Sequence, residues 1–260
     1  MNQKIDVFLP IAPKDLFRSR LVIKYLLRNV PDIATIHICT PTPISPIFET
    51  GEHDICYHLD REILPYATPQ KWKFRPNWIL QQFLKLFQNV TKTEYYMTID
   101  CDAIVTNRLE LFEENRPIWY YGYDQCEPQY FEFNKKMFNL DRKATHTYIG
   151  DIGFFNKNII QHLVNYVNLT PQQIIEKSYD IISYNCHPSE FELYGNFVEM
   201  FYPELYISKR LKDLRTGKLQ SDPYDTNWSL DETLQLIQRG ISEKYDVVNM
   251  HSWCIPSHAW

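Results

Sequence analysis

Glycine is scarce, at seven residues in 260. No G-x-G-x-x-G follows the first apolar run and no G-x-x-x-x-G-K-[ST] occurs anywhere, which excludes both a dinucleotide-fold phosphate loop and a P-loop. Any diphosphate held here must be neutralised by metal and side chains. Paired cysteines are also missing. The six cysteines, at positions 39, 56, 101, 126, 186 and 254, include no CxxC, and several lie in apolar strand-like runs such as "TIHICT". Buried free thiols in a reducing compartment are expected. A positive charge excess is absent too: the formal charge is -5, against a broadly basic nucleic-acid binder. No apolar run is long enough to cross a bilayer. The start "MNQKIDVFLPIAP" has no long apolar core, so no signal peptide is expected and a cytoplasmic location is.

What remains is an ordinary soluble composition rich in rings. Hydrophobic residues make up 44%, enough for a substantial core, and aromatics 15%, led by 18 tyrosines. The first half alternates strand-like and helix-like segments. Ile5 to Leu9, Thr35 to Cys39, Ile55 to Leu59 and Tyr95 to Asp100 read as strands. Asp15 to Asn29 and Arg75 to Gln88 read as helices, the second with Asn77 as its cap and Leu80, Phe83, Leu84 and Phe87 on one face. Repeated strand–helix units predict an α/β fold with a mostly parallel central sheet flanked by helices. The second half is less regular. Strands are expected at Ile118 to Tyr121 and near Ile149 to Asn156. Helices are expected near 158–167, 171–182 and 189–200, and after the capping pattern "SLDE" at Ser229.

The fourth strand runs into "TIDCDAIV". Residues two apart on a strand point to one side, so Asp100 and Asp102 are expected to face one divalent cation. Carboxyl ends of strands are where open α/β sheets bind ligands, and carboxylate oxygens suit Mn²⁺ or Mg²⁺. The bland alternative is a turn with one aspartate capping a helix and the other solvated.

With these features the chain resembles the GT-A class of nucleotide-sugar glycosyltransferases. It is most similar to bacterial D-x-D glycosyltransferase-like proteins that carry a "W-x-x-QQ-x-x-K" helix before the acidic motif and an "SE-x-x-x-YG" segment after it. Here these are "WILQQFLKL", from Trp78 to Leu86, and "SEFELYG", from Ser189 to Gly195. The resemblance implies a single GT-A-like domain over 1–260. Residues 1–105 would be the nucleotide-sugar half, and 106–260 the acceptor-binding half with a C-terminal tail.

The resemblance also implies site roles. Ala12, Lys14 and Asp15 would lie near the nucleotide. Gln81 and Lys85, four apart on a helix, would meet the nucleotide sugar. Asp100 and Asp102 would hold a metal bridging the diphosphate, with His251 as third ligand and His258 and His187 as weaker competitors. Transfer with inversion needs a carboxylate to take the acceptor proton. Glu190 is expected as that base and Asp151 as an acceptor-sugar contact, whereas retention would need no such base. Glu192 competes at the same helix start. Trp119, Tyr120, Tyr121, Tyr123 and Tyr148 are candidates to line the acceptor cleft, although most of them are expected in the core. The basic run Ser208 to Lys218 is a solvated loop, a lid over the diphosphate, or a contact with anionic lipid.

The expected activity is metal-dependent transfer of a sugar from a nucleotide-diphosphate donor to a glycan or lipid-linked acceptor, in cell-surface polysaccharide or lipopolysaccharide synthesis. The protein would be cytoplasmic, with peripheral contact at the inner face of the membrane. Two rivals share the fold. A sugar-phosphate nucleotidyltransferase would carry a glycine-rich loop after the first strand, where "LPIAPKDLFR" has none. A non-catalytic glycan-binding module would bind carbohydrate without metal.

Overall fold

The computed structural model describes residues 3–44, 54–122, 127–143, 145–216 and 230–250. In chain order the elements are β1 (Ile5–Pro10), α1 (Leu16–Asn29), β2 (Ile33–Thr40), β3 (Asp54–Leu59), α2 (Asp60–Ile63), α3 (Pro76–Phe87), β4 (Tyr95–Ile99), β5 (Ala103–Val105), β6 (Phe112–Glu113), β7 (Arg116–Tyr121) and α4 (Pro128–Phe138). There follow β8 (Ile152–Asn156), α5 (Lys157–Tyr166), α6 (Pro171–Ile181), α7 (Glu190–Phe201), β9 (Ile207–Arg210), β10 (Asp213–Thr216), α8 (Leu230–Ser242) and β11 (Val247–Met250).

The central sheet has the order β3-β2-β1-β4-β8. Its first four strands are parallel, and β8 closes the edge antiparallel to β4. β1 and β4 are buried along their whole length, so both read as continuous apolar runs rather than alternating ones. Two three-stranded sheets flank this one, β10-β11-β5 and β6-β7-β9. One hydrophobic core runs from Ile5 to Met250 and joins residues of both halves of the chain.

Local chemistry explains the helix starts. Thr170 and Gln173 form a reciprocal capping box on α6, and Asn156 accepts from the N–H groups of Asn158 and Ile159 at the head of α5. Helix α3 starts otherwise than expected. Pro76 is its first residue and Arg75 its cap, in the left-handed region, while Asn77 is an exposed residue inside the first turn.

Four of the six cysteines lie in described residues, and all four are free thiols. Cys39, Cys101 and Cys186 are buried and Cys56 is half-buried. Among the described residues no helix is long and apolar enough to cross a membrane.

Candidate functional site

The acidic tip forms where β4 ends. Ile99 is the last strand residue, and Asp100 opens a turn in which its carbonyl accepts from the Ala103 N–H at 3.0 Å. Strand alternation therefore does not orient Asp100 and Asp102; a turn does. Both flanks staple that turn. The Asp100 N–H donates to the Asp151 carbonyl at 3.1 Å, because β8 lies in register beside β4. The Met250 N–H donates to the Asp102 carbonyl at 2.8 Å, because β11 pairs with β5. The Asn249 amide donates to Asp151 Oδ2 at 2.5 Å. Asp151 is buried and held at φ 59°, a costly conformation for a residue with a side chain.

Beneath the turn lies a buried ion cluster. Lys85 Nζ donates to Asp100 Oδ1 at 2.5 Å and to Glu190 Oε1 at 2.6 Å. Lys85 and Glu190 are each 1% exposed, whereas the Asp100 side chain is 29% exposed. The cluster thus has a closed floor and one acid at the surface. The two motifs that carry the family resemblance meet here. "WILQQFLKL" supplies Lys85 and "SEFELYG" supplies Glu190, across 105 residues of sequence.

The second motif is explained residue by residue. Ser189 Oγ caps α7 by accepting from the Glu192 N–H. Glu192 accepts from Thr147 Oγ1, the Tyr148 N–H and the Asn196 amide, and so ties the 147–148 segment to the helix. The Tyr194 hydroxyl accepts from the Asn156 N–H. A Cβ at position 195 would lie 2.1 Å from Cγ of Tyr148, so only glycine fits there.

Burial dominates the electrostatics of Glu190. It pushes the carboxyl up, Asp100 adds to the rise, and Lys85 opposes it. Glu190 Oε2 is buried and, among the described residues, has no hydrogen-bond partner. The Lys85 ammonium is held above its usual range: burial works against the charge, but the two carboxylates outweigh it.

Several expected site residues take other places. Lys85 turns inward onto two acids rather than facing open solvent, and Gln81 is half-buried one helical turn before it. Glu190 faces inward as well. His187 is buried, its Nδ1 lies 3.2 Å from the Ser183 carbonyl oxygen, and its ring packs against Phe74, Trp78 and Tyr130. Trp119, Tyr120 and Tyr148 are buried, with the Trp119 ring stacked on Tyr194, and Tyr121 is half-buried. These rings belong to the core rather than to a cleft wall. In the basic run, Lys209 pairs with Glu113 at 2.5 Å and the Lys212 ammonium donates to the Glu243 carbonyl. His251, His258, Tyr123, Ser229 and the end of the basic run at Gly217 and Lys218 lie outside the described residues.

The nucleotide-side expectations fall beside the turn. Ala12 and Lys14 are exposed just past β1, and Asp15 lies 3.7 Å from Arg18. The Lys14 ammonium sits in the field of Asp15 and Asp102, and Asp15 in the field of Asp100. Sequence reasoning missed Asn249, which anchors Asp151, and Arg75, whose guanidinium lies 4.6 Å from the Trp78 ring centre. The alternation of basic and aromatic residues in "KWKFR" was the only sign of the second.

Among the described residues no three histidine, cysteine or acidic side chains cluster closely enough to hold a metal. Asp100 and Asp102 supply hard oxygen donors from one turn. That donor set suits Mg²⁺ or Mn²⁺ shared with phosphate oxygens, which such ions accept readily, rather than an all-protein cage.

The family described as "Family of unknown function (DUF6492)" matches residues 28–211, more than half of the chain. That span includes Lys85, Asp100, Asp102, Asp151 and Glu190. No curated protein matches the chain in sequence. Among solved structures, the apo form of mouse xyloside xylosyltransferase 1 is similar, with a TM-score of 0.51 at 11% sequence identity. The match covers 95% of this chain and 97% of that one. At that identity the likeness shows the fold, which is the GT-A glycosyltransferase type.

Proposed function

The chain belongs to the DUF6492 family, a family of unknown function, and on that premise we propose that it is a metal-dependent glycosyltransferase. It would move a sugar from a nucleoside-diphosphate donor to a glycan or lipid-linked saccharide, in building cell-surface polysaccharide or lipopolysaccharide. The observation that carries this reading is the acidic turn at the carboxyl edge of a GT-A sheet, with one acid anchored from below by Lys85.

Asp100, Asp102 and His251 would hold the ion. A bound Mn²⁺ or Mg²⁺ would supply Lewis-acid neutralisation of the departing diphosphate. Lys85 holds Asp100 in one position, so that its outer oxygen is presented without a search. Ala12, Lys14 and Asp15 border the nucleotide, Gln81 the donor sugar and Asp151 the acceptor. Glu190 takes the acceptor proton on Oε2. Support comes from that oxygen's lack of a partner and from burial, which raises the carboxyl toward the range a general base needs. Glu190 is 1% exposed, so this step requires the floor of the site to open to the acceptor hydroxyl.

The test is release of nucleoside diphosphate from a panel of nucleotide sugars with Mn²⁺ and mixed glycan acceptors. The reading predicts turnover of at least one donor and a loss of about a hundredfold or more in Asp102→Asn, the scale for removing a charge-stabilising group. A donor cleaved equally well by Asp102→Asn, or with chelator present, would refute it.

A further inference from the structure

The tight turn before α7 carries a tyrosine at its tip, where small polar residues are the rule. Ser183 and Cys186 exchange both backbone hydrogen bonds, at 2.8 and 3.2 Å, so Tyr184 and Asn185 form a two-residue tip. Tyr184 is 75% exposed. The tip is pinned from below. The His187 N–H donates to the Gln129 carbonyl at 3.3 Å, and His187 Nδ1 lies 3.2 Å from the Ser183 carbonyl oxygen. Tyr184 meets the Phe74 ring edge-on at 5.7 Å, while Phe74, Trp78 and Tyr130 surround the His187 ring at 4.7, 5.5 and 5.2 Å. An open ring thus stands on a packed aromatic base.

This patch lies beside the acidic turn. Helix α3 crosses between β3 and β4, which run parallel in the sheet, so α3 runs antiparallel to both. Near its end, the Lys85 carbonyl accepts from the Tyr96 hydroxyl at 2.6 Å. Trp78 comes seven residues earlier on the helix, about 10 Å higher. Asp100 comes four residues after Tyr96 on the strand, about 13 Å higher. Trp78 and the acidic turn therefore stand at a similar height, at the carboxyl edge where such sheets take ligands. A second path agrees. Trp78 touches His187 and Lys85 touches Glu190, and the three residues from His187 to Glu190 span at most about 10 Å.

The patch is small. One exposed ring and three half-buried ones fall short of the roughly 800 Å² a side that a stable protein interface needs. They suit a ligand one ring wide. A pyranose has an apolar C–H face and a rim of hydroxyls. Tyr184 offers a ring face, its own hydroxyl, and the exposed Asn185 beside it. We propose that Tyr184 is the platform on which a sugar of the acceptor saccharide stacks. That the sugar is the acceptor's rests on the nucleotide-sugar reading above, which puts the nucleotide past β1 at Ala12 and Lys14.

Saturation-transfer NMR and calorimetric titration test this. The probes are the linear trisaccharides of glucose, galactose, mannose and N-acetylglucosamine, with the whole chain alone and with Mn²⁺ plus each nucleoside diphosphate. At least one trisaccharide should bind the parent. Tyr184→Ala should bind it about 3- to 10-fold more weakly, the scale of one ring-stacking contact. Tyr184→Phe should stay within about twofold of the parent, because the ring face remains. Tyr166→Ala, which removes an exposed ring from α5, should change nothing. All three variants should melt with the parent, since exposed positions contribute little to stability. Equal affinity in parent and Tyr184→Ala would overturn the proposal, as would a parent that binds no trisaccharide under any condition. In that second case, a nucleoside diphosphate that still binds with Mn²⁺ would leave the nucleotide-sugar reading standing. A trisaccharide lost in Tyr184→Ala, with no nucleoside diphosphate bound by the parent, would uphold the platform and remove that reading.

Discussion

The central sheet carries two buried acid clusters, and they are built differently. At the start of β1, Asp6 Oδ2 accepts from the N–H groups of Lys92 and Thr93 and lies 3.6 Å from His37 Nε2. His37 Nδ1 is 3.0 Å from His58 Nε2, so the cluster runs across β1, β2 and β3 through two imidazoles. At the end of β4, Asp100 and Glu190 share Lys85. The first cluster is compensated by backbone N–H groups and by two imidazoles. The second is compensated by an ammonium whose charge is fixed across the working range. The first is closed, with Asp6 1% exposed. The second ends in a partly exposed acid. A fold that needs only to satisfy a buried carboxylate can use backbone and histidine. One that must present a carboxylate in a fixed position at a surface is better served by a buried lysine.

The largest expected break in this comparison is Lys85→Met. It leaves Glu190 buried without a counter-ion, which costs about 3–5 kcal/mol when one partner of a buried pair is removed. Denaturant titration should show that loss, and adding Glu190→Gln should restore part of it. Stability unchanged in Lys85→Met would mean that the cluster is not a true ion pair. A smaller break is Asp6→Asn. It keeps an acceptor oxygen but loses the charge, so about 1.5–3 kcal/mol should go, the worth of a hydrogen bond to a charged group. A loss as large as that of Lys85→Met would erase the distinction between the two clusters.

The smallest effect sharpens the comparison through pH. Burial lowers the His58 pKa from its ordinary 6.5, with His37 adding to the shift. The unfolded chain then binds this proton first, so stability is full above 6.5 and falls as pH drops toward the folded value. Burial raises Glu190 from 4.5, so there the folded chain holds the proton longer and stability falls as pH rises above 4.5. The two slopes oppose each other between these values. His58→Gln should flatten the acid-side loss, whereas Glu190→Gln should gain on the parent as pH rises. Parallel pH profiles for all three proteins would contradict both assignments.

Much of this was legible in the chain, and the gaps have physical causes. β1 and β4 showed as continuous apolar runs because both of their faces are covered. The acidic tip showed because two acids after "YYMTI" break such a run. Its geometry did not show: the strand stops at Ile99, and the turn that follows is set by partners from β8 and β11, 50 and more residues away. The two sequence motifs were visible singly, but nothing local says that Lys85 and Glu190 touch. Trp119, Tyr120 and Tyr148 could not be divided between core and cleft from the sequence, because a ring has the same hydropathy in either place; all three are buried. Helix α4 passed unnoticed although Phe133 and Met137 lie one turn apart and are buried. In the basic run, charge was readable but the partners of Lys209 and Lys212 were not.

The central claim is that the turn at Asp100 and Asp102, anchored by Lys85, grips a cation that a nucleoside diphosphate shares. Thermal melting with Mn²⁺ and each nucleoside diphosphate, alone and together, tests it most directly in the parent and in Asp102→Asn. The account predicts that one nucleotide raises the melting temperature of the parent only when Mn²⁺ is present, because ligands that bind the folded state stabilise it, and that Asp102→Asn loses this shift. A nucleotide shift that is independent of metal, or that survives in Asp102→Asn, would contradict it.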